Sequence, residues 1–155
     1  MRDAKGTQTE VVGVGIDVVE VHRLRAALAR WGDRLLHRLF TADELARARP
    51  GQIRPQRLAA RFAAKEAVMK SLGVGWRGVG WQTIEIRTDA RGKPEVTLHG
   101  SARRVAEELG VAEVLISLTH SGALAVASAV ALRRSTQGRH AVLRGRDGPG
   151  DAGEI

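Results

Sequence analysis

Three polar features of the chain have the residue types of a reaction centre. Asp17 follows a β-branched run, Lys65 and Glu66 are neighbours in a helical stretch, and His120 falls in a predicted turn. Two carboxylates from different elements suit a hard cation with oxygen ligands, such as Mg²⁺, which keeps several waters and usually bridges to substrate phosphates. A lysine beside such a site would meet phosphate oxygens. These residue types therefore point to phosphoryl or pyrophosphoryl chemistry, in which positioning and charge neutralisation do most of the catalysis.

The stretch 57–75 predicts the helix that must hold Lys65 and Glu66. Its apolar residues recur at intervals of three, four and seven, the spacing of a buried stripe: Leu58, Phe62, Met69 and Leu72. Lys65 and Glu66 lie on or beside this stripe, where a charge is costly unless it is paired, hydrogen-bonded or holding an ion. The helix alone leaves two interpretations open, because Glu66 and Lys70 also form an ordinary i, i+4 pair and Lys65 could extend its amine into water.

The composition indicates one intracellular domain. A chain of 155 residues is large enough for a sizeable core but small for two domains. The absence of cysteine excludes a disulfide framework and a thiolate metal site, and it fits a reducing compartment. No run approaches eighteen apolar residues and the first ten residues are polar, so we expect a soluble, cytoplasmic protein without a signal peptide or membrane span.

The positive charge is concentrated in one block. The formal net charge is +8, and residues 21–61 contain ten arginines against three acidic residues, whereas residues 62–132 are nearly balanced. A one-sided block attracts an anionic partner, which could be a nucleic acid, a phosphate-bearing ligand or an acidic protein. An arginine-rich genome composition explains part of the excess, but it explains the clustering less well.

The order of the predicted elements indicates an α+β fold in which an antiparallel sheet packs against helices. Gly13 and Gly15 in the first strand are expected to allow close backbone packing or a β-bulge beside Asp17. Thr41 and Glu44 form a capping box that should start the third helix. The predicted elements are strand 10–16, helices 18–29, 33–40, 41 to before 50, and 56–72, strands 82–88 and 94–98, helix 101–109, and strands 114–119 and 124–132.

The ends of the chain differ in composition from its centre. Residues 1–9 are polar and are expected to be flexible, and residues 10–133 should form the domain. From 134 to 155 the chain is rich in Arg, Gly, Ser and Asp and poor in apolar residues, so we predict a disordered tail.

Four motifs give the chain a resemblance to a known family. They are Gly13-Val14-Gly15-Ile16-Asp17-Val18-Val19-Glu20 with Arg23 following, Arg61-Phe62-Ala63-Ala64-Lys65-Glu66-Ala67 with Lys70 following, Gly92-Lys93-Pro94, and Ser117-Leu118-Thr119-His120. In order and spacing they resemble the holo-acyl-carrier-protein synthases, the short class of 4′-phosphopantetheinyl transferases, over residues 11 to about 131. The resemblance implies the fold of that family and the transfer of 4′-phosphopantetheine from coenzyme A to a serine of an apo acyl carrier protein. Adenosine 3′,5′-bisphosphate would be released.

The resemblance also implies roles for individual residues. Asp17 and Glu66 would hold Mg²⁺ against the pyrophosphate of coenzyme A, and Glu66, directly or through a metal-bound water, would help to deprotonate the incoming serine. Lys65 would neutralise charge on the pyrophosphate as the bridging bond breaks. The nucleotide would be bordered by residues from a neighbouring subunit of a homotrimer: Pro94, Thr119 and His120.

The basic block gains a partner from the same resemblance. Acyl carrier proteins are acidic, and Arg23 falls on the docking arginine of the family. Further docking candidates lie in the same block: Arg30, Arg34 and Arg54. Charges at the rim of an interface act mainly on the association rate and its salt dependence. Many relatives have an acidic residue where this chain has Ser121, so no role is predicted there.

Two functions from other classes compete with the enzyme. A nucleic-acid-binding module would use the basic block but would leave Asp17, Lys65 and Glu66 without a role, and the chain has only five Phe and Trp residues and no Tyr for stacking bases. A noncatalytic trimeric scaffold would have no need of the charged residues that match the family's pattern. We therefore expect an enzyme that binds neither nucleic acid nor membrane.

Overall fold

A central helix lies against a three-stranded antiparallel sheet and is flanked by a second, two-stranded sheet. The structure is a computed structural model, and it describes residues 7–47 and 54–136. Within these residues the elements are β1 (Thr7–Glu20), α1 (Val21–Leu39), α2 (Ala42–Ala46), α3 (Pro55–Ser71), β2 (Ile84–Thr88), β3 (Pro94–Leu98), α4 (Gly100–Glu108), β4 (Glu113–His120) and β5 (Leu124–Thr136). This order confirms the predicted α+β class.

The larger sheet has β5 at its centre, paired with β1 on one side and β4 on the other. The smaller sheet is the hairpin of β2 and β3. Side chains alternate between the two faces of a strand, so the even and odd residues of β5 face opposite ways. The face of β5 toward α3 consists of buried alanines: Ala125, Ala127, Ala129 and Ala131.

Helix α3 contributes buried side chains to the core on two of its sides. The predicted stripe residues Leu58, Met69 and Leu72 are buried, and Phe62 is half-buried and stacks on Trp81 with ring centroids 4.8 Å apart. Five alanines of α3 are also buried and let the helix approach its neighbours closely: Ala59, Ala60, Ala63, Ala64 and Ala67. The core therefore combines a few large side chains with many small ones.

Local signals at the helix ends behave as the sequence predicts. Thr41 accepts a hydrogen bond from the Glu44 amide at 3.2 Å, and the Glu44 carboxylate accepts one from the Thr41 amide at 2.8 Å. This capping box starts α2. Gly73, just past α3, has φ 68°, the left-handed conformation that favours glycine at a helix end.

Several boundaries differ from the predicted ones. The break predicted between the helices 18–29 and 33–40 is present within α1 at Gly32, which has φ 52° and ψ −137°, but α1 begins at Val21 because β1 continues to Glu20. His120 is the last residue of β4, because the Leu124 carbonyl and the Ser121 amide close the turn one residue later. Strands β1 and β5 pair as far as Thr7 and Thr136, which extends the predicted strands at both chain ends.

The predicted division into a flexible start, a domain and a tail stays a prediction, since residues 1–6 and 137–155 lie outside the described part of the chain. Within the described ranges, no helix is long and apolar enough to cross a membrane.

Candidate active site

Two glycines bring β1 and α3 unusually close together. A Cβ atom built at Gly15 would lie 1.9 Å from the Ala67 carbonyl oxygen, and one built at Gly13 would lie 2.1 Å from the Ser71 carbonyl oxygen. Any other residue would hold the helix away from the strand. The predicted role of these glycines in close packing is confirmed, whereas the strand pairing is regular beside Asp17 and the register shift lies between Val11 and Gly13.

This close approach places Asp17 beside the last turns of α3. The Lys70 amine donates hydrogen bonds to Asp17 Oδ1 at 3.0 Å and to the Ile16 carbonyl oxygen at 2.9 Å. The Asp17 side chain is 17% exposed and that of Lys70 is 49% exposed. A carboxylate and an ammonium therefore meet at an edge of the sheet that remains open to solvent.

Glu66 belongs to the same group. Burial raises the pKa of its carboxyl above the ordinary value, the negative charge of Asp17 raises it further, and the positive charge of Lys70 opposes the rise. Lys70 pairs with Asp17 within hydrogen-bond distance, and not with Glu66 as an i, i+4 pair. The two carboxylates thus repel each other, and a cation between them would relieve that repulsion.

The donor set of this group fits a hard divalent cation. Two carboxylates supply oxygen ligands, which Mg²⁺ prefers, and an open edge leaves room for waters and phosphate oxygens. Among the described residues, no cluster of three or more His, Cys, Asp or Glu side chains could hold a metal by itself. The ion would therefore need ligands from solvent or substrate in addition to Asp17 and Glu66.

Lys65 does not join this group. Its side chain is 0% exposed, and its amine donates to Glu44 Oε2 at 2.7 Å and to the Trp81 carbonyl oxygen at 3.0 Å. Burial lowers the pKa of Lys65, and the Glu44 carboxylate opposes that effect. The direct contact predicted between Lys65 and a pyrophosphate is corrected by this placement, because the amine is committed to Glu44 in the core. Consecutive residues of an α-helix point about 100° apart, so Glu66 can face the site while Lys65 faces inward.

A second group of charged residues surrounds His120, which is exposed. A cleft of about 550 Å³ is lined by His120, Leu118, Ile86, Thr88, Ala60 and three arginines, Arg47, Arg57 and Arg61. Arg61 is partly buried, which lowers its pKa, and its guanidinium donates to the Glu44 carbonyl oxygen at 2.9 Å. Sequence reasoning counted these arginines in the basic block but did not connect them to His120. The available signal was their position four residues apart, at 57 and 61, on one face of the helix.

Arg54 lies beside the same histidine. A neighbouring depression of about 580 Å³ is lined by Arg54, Gln56, Arg57, His120, Ser121 and Gly122. The structure therefore brings Arg54 to His120, whereas the sequence assigned it to a docking surface with Arg23. The predicted docking residues on α1, Arg23, Arg30 and Arg34, are exposed as expected, and Arg30 stacks on the exposed Trp31 at 5.0 Å.

Thr119 and Pro94 are separated from His120 within one protomer. Thr119 precedes His120 on β4 and so faces the opposite side of the sheet. Pro94 starts β3 and pairs with Thr88, which lines the His120 cleft one strand away. The three residues predicted to border a nucleotide thus do not face one common site within one protomer.

The side of the sheet away from α3 is apolar and exposed. Its large side chains are between 42% and 66% exposed: Val11, Val14, Ile16 and Val18 on β1 and Leu115 on β4. Thr119 lies on this same outer face. A contiguous apolar surface of this kind is typical of a face that another protein chain covers.

Comparison with known proteins matches the motifs to a family. The family model described as the 4′-phosphopantetheinyl transferase superfamily matches residues 13–127. A holo-[acyl-carrier-protein] synthase from Solibacter usitatus is 45% identical over 121 residues, which cover 77% of this chain and 97% of the relative. The acyl carrier protein synthase from Plasmodium yoelii with ADP bound has a TM-score of 0.75 and 29% identity, over 81% of this chain and 98% of its own. The holo-(acyl-carrier-protein) synthase from Bacillus anthracis in complex with CoA (3′,5′-ADP) has a TM-score of 0.64 and 33% identity, over 79% of this chain and 97% of its own.

Proposed function

The chain belongs to the 4′-phosphopantetheinyl transferase superfamily, and from that premise we propose that Asp17, Glu66 and Lys70 form its reaction centre. The reaction is the transfer of 4′-phosphopantetheine from coenzyme A to an apo acyl carrier protein. The observation that carries the proposal is the convergence of a carboxylate on β1, a carboxylate on α3 with a raised pKa and a half-exposed lysine at one open edge.

Glu66 is the base in this proposal. The serine hydroxyl of the carrier gives its proton to the Glu66 carboxylate, and the serine oxygen forms a bond to the phosphorus that bears the pantetheine arm. The bond from this phosphorus to the bridging oxygen breaks, and adenosine 3′,5′-bisphosphate leaves. Burial and the charge of Asp17 raise the pKa of this carboxyl when no cation is bound, and Mg²⁺ held beside it would lower that pKa and keep the carboxylate ionised, which is the form that accepts a proton.

Lys70 takes the charge-neutralising role that the sequence assigned to Lys65. Its amine is half-exposed and is held by Asp17 and the Ile16 carbonyl, so it can exchange these partners for phosphate oxygens. Holo-acyl-carrier-protein synthases are a family that uses a divalent metal. We propose that Asp17 and Glu66 hold Mg²⁺, which would supply charge neutralisation at the pyrophosphate.

The arginine cleft at His120 would hold the nucleotide of coenzyme A. Arg47, Arg57 and Arg61 offer guanidinium groups for phosphate oxygens, and the cleft volume of about 550 Å³ suits a nucleoside. Arg57 and Glu66 are nine residues apart on α3, which is about 13 Å along the helix axis. One coenzyme A molecule can span this distance within a protomer, or it can bridge the arginine cleft of one subunit and the reaction centre of its neighbour.

The exposed apolar face of β1 favours the arrangement in which coenzyme A bridges neighbouring subunits. The apolar outer face of β1 needs a cover, and Thr119 lies on that face, so a neighbouring chain packed there would meet Thr119. We propose the homotrimer that the resemblance implies, with Pro94, Thr119 and His120 reaching the reaction centre of a neighbour. The acidic carrier would dock on Arg23, Arg30 and Arg34 of α1. The cytoplasmic location stays a prediction from the sequence.

A mass measurement tests the proposal. The protein is incubated with coenzyme A, Mg²⁺ and an apo acyl carrier protein, and the carrier is examined for the mass of one phosphopantetheine. Wild type and Glu108→Gln, an exposed control carboxylate on α4, should both modify the carrier. Glu66→Gln should not do so at a detectable rate. No added mass with several apo carriers would refute the transferase function and favour a noncatalytic scaffold.

A further inference from the structure

The buried pair of Lys65 and Glu44 connects four parts of the fold through one cluster of hydrogen bonds. Glu44 Oε2 accepts from the Lys65 amine at 2.7 Å and from the Thr41 amide at 2.8 Å, and Oε1 accepts from the Ile86 amide at 3.0 Å. The Lys65 amine also donates to the Trp81 carbonyl oxygen. The cluster thus ties α3 to the start of α2, to β2 and to the short 3₁₀ helix Trp81–Thr83.

The attraction between the two charges is by itself a weak source of stability. Removing two charges from water carries a large desolvation cost, and an apolar pair of similar volume stabilises a core as well or better. The Lys65 side chain is 0% exposed, and so is that of Glu44. What an ion pair supplies, and an apolar pair does not, is a single direction of approach set by its hydrogen bonds.

Helix α3 needs such a directional contact. Five of its ten buried residues are alanines, whose short side chains resist rotation about the helix axis less than long side chains do. Side-chain ends lie about 5–6 Å from a helix axis, so a roll of about 10° moves the Glu66 carboxylate by about 1 Å. A displacement of 1 Å at a reaction centre costs up to about 100-fold in rate.

We propose that Lys65 and Glu44 act as a positioning pair that fixes the rotation of α3, so that Glu66 faces Asp17 and not the core. Lys65 is anchored inward through Glu44, and the next residue along the helix is thereby aimed at the open edge. Neither member of the pair touches the substrate. The inference rests on the proposed function, because it concerns the orientation of the residue that acts there as the base.

A double-mutant cycle tests the pair. Glu44→Met, Lys65→Met and the double variant E44M/K65M are compared with wild type for kcat, KM for coenzyme A and Tm. Each variant should lower kcat about 10- to 100-fold and leave the KM for coenzyme A within about threefold. The double variant should lose no more activity than either single variant, because the two residues act as a unit. Its Tm should fall below that of wild type, because the Thr41 and Ile86 amides and the Trp81 carbonyl oxygen lose the partners that Glu44 and Lys65 supply.

Met69→Leu is the control variant for this cycle. Met69→Leu changes the buried face of the same helix without a charge, and its kcat should stay within about twofold of wild type. A folded E44M/K65M with wild-type kcat would overturn the positioning role. Loss of kcat in K65M but not in E44M would overturn it too, because it would show that the lysine acts alone.

A gentler variant covers the case in which the methionine variants do not fold. Glu44→Gln keeps the size of the side chain and removes its charge, and it should lower kcat with little change in KM. Wild-type kcat in Glu44→Gln would then refute the inference. Absence of transfer by the wild-type enzyme in the same assay would refute the proposed function itself, whereas active, unaffected variants refute only the role of the pair.

Discussion

Replacement of Gly15 by alanine should push α3 away from β1 and remove most of the activity. The added Cβ would lie 1.9 Å from the Ala67 carbonyl oxygen and 2.9 Å from the Ser71 amide nitrogen, both of them backbone atoms that cannot rotate aside. The first contact must lengthen by at least about 1.1 Å to reach the 3.0 Å limit of real Cβ contacts. Glu66 and Lys70 lie on the same helix and must move with it relative to Asp17.

The size of the effect follows from this displacement. A shift of about 1 Å between groups that act together costs up to about 100-fold in kcat. Overpacking of a close contact typically lowers the free energy of unfolding by about 1–3 kcal/mol. For a chain of this length that corresponds to a Tm lower by roughly 3–10 °C. The activity loss should therefore exceed what partial unfolding explains at 25 °C.

Carrier modification by mass spectrometry and thermal unfolding measure the two quantities. Gly75→Ala is the matched control, because a Cβ there meets nothing within 4 Å, and both kcat and Tm should stay close to wild type. A Gly15→Ala protein with wild-type kcat and Tm would show that the close approach of β1 and α3 does not assemble the reaction centre.

Three further predictions concern the charge and the surfaces of the protein. The folded-state pKa of Glu66 lies above its ordinary value, so the ionised carboxylate destabilises the fold at pH values above that pKa. In metal-free buffer, Glu66→Gln should therefore raise the Tm at pH 7. The gain in Tm should vanish as the pH falls below the ordinary carboxyl range. An equal Tm difference at pH 7 and pH 3 would contradict this. Ile16→Asp, on the exposed outer face, should reduce the molar mass measured by light scattering to that of a monomer, and an unchanged trimer mass would exclude this face as the interface. Higher ionic strength should raise the KM for the carrier more than the KM for coenzyme A, and Arg23→Ala, at an exposed position, should flatten that dependence; equal salt slopes in Arg23→Ala and wild type would argue against docking there.

Local rules predicted much of the fold because their signals are short-range. The capping box at Thr41 and Glu44 and the glycine after α3 each depend on neighbours within a few residues. The break predicted between the helices 18–29 and 33–40 is present at Gly32, whose φ and ψ are not helical. The extension of β1 and β5 depends on their mutual pairing, which no local pattern encodes.

The candidate site was predictable in its residue types but not in its pairings. Asp17 and Glu66 were identified as carboxylates from two elements, and the structure places them near each other. The partner of Lys65 was not predictable, because Glu44 lies 21 residues away and already has a local role in the capping box. Helical spacing did place Lys65 on or beside the buried stripe, but only the tertiary fold shows that Glu44 is its partner.

The two faces of strand β1 share one backbone, so a displacement on one face also moves the other. Ile16 and Asp17 are consecutive residues, about 3.3 Å apart along the strand, and they point to opposite faces. A contact made at Ile16 on the apolar face acts on the same backbone that carries the Asp17 side chain. This backbone also provides the Ile16 carbonyl oxygen that accepts a hydrogen bond from Lys70. Substitutions on the outer face of β1 are therefore constrained, because each one can shift the backbone that positions the Asp17 carboxylate.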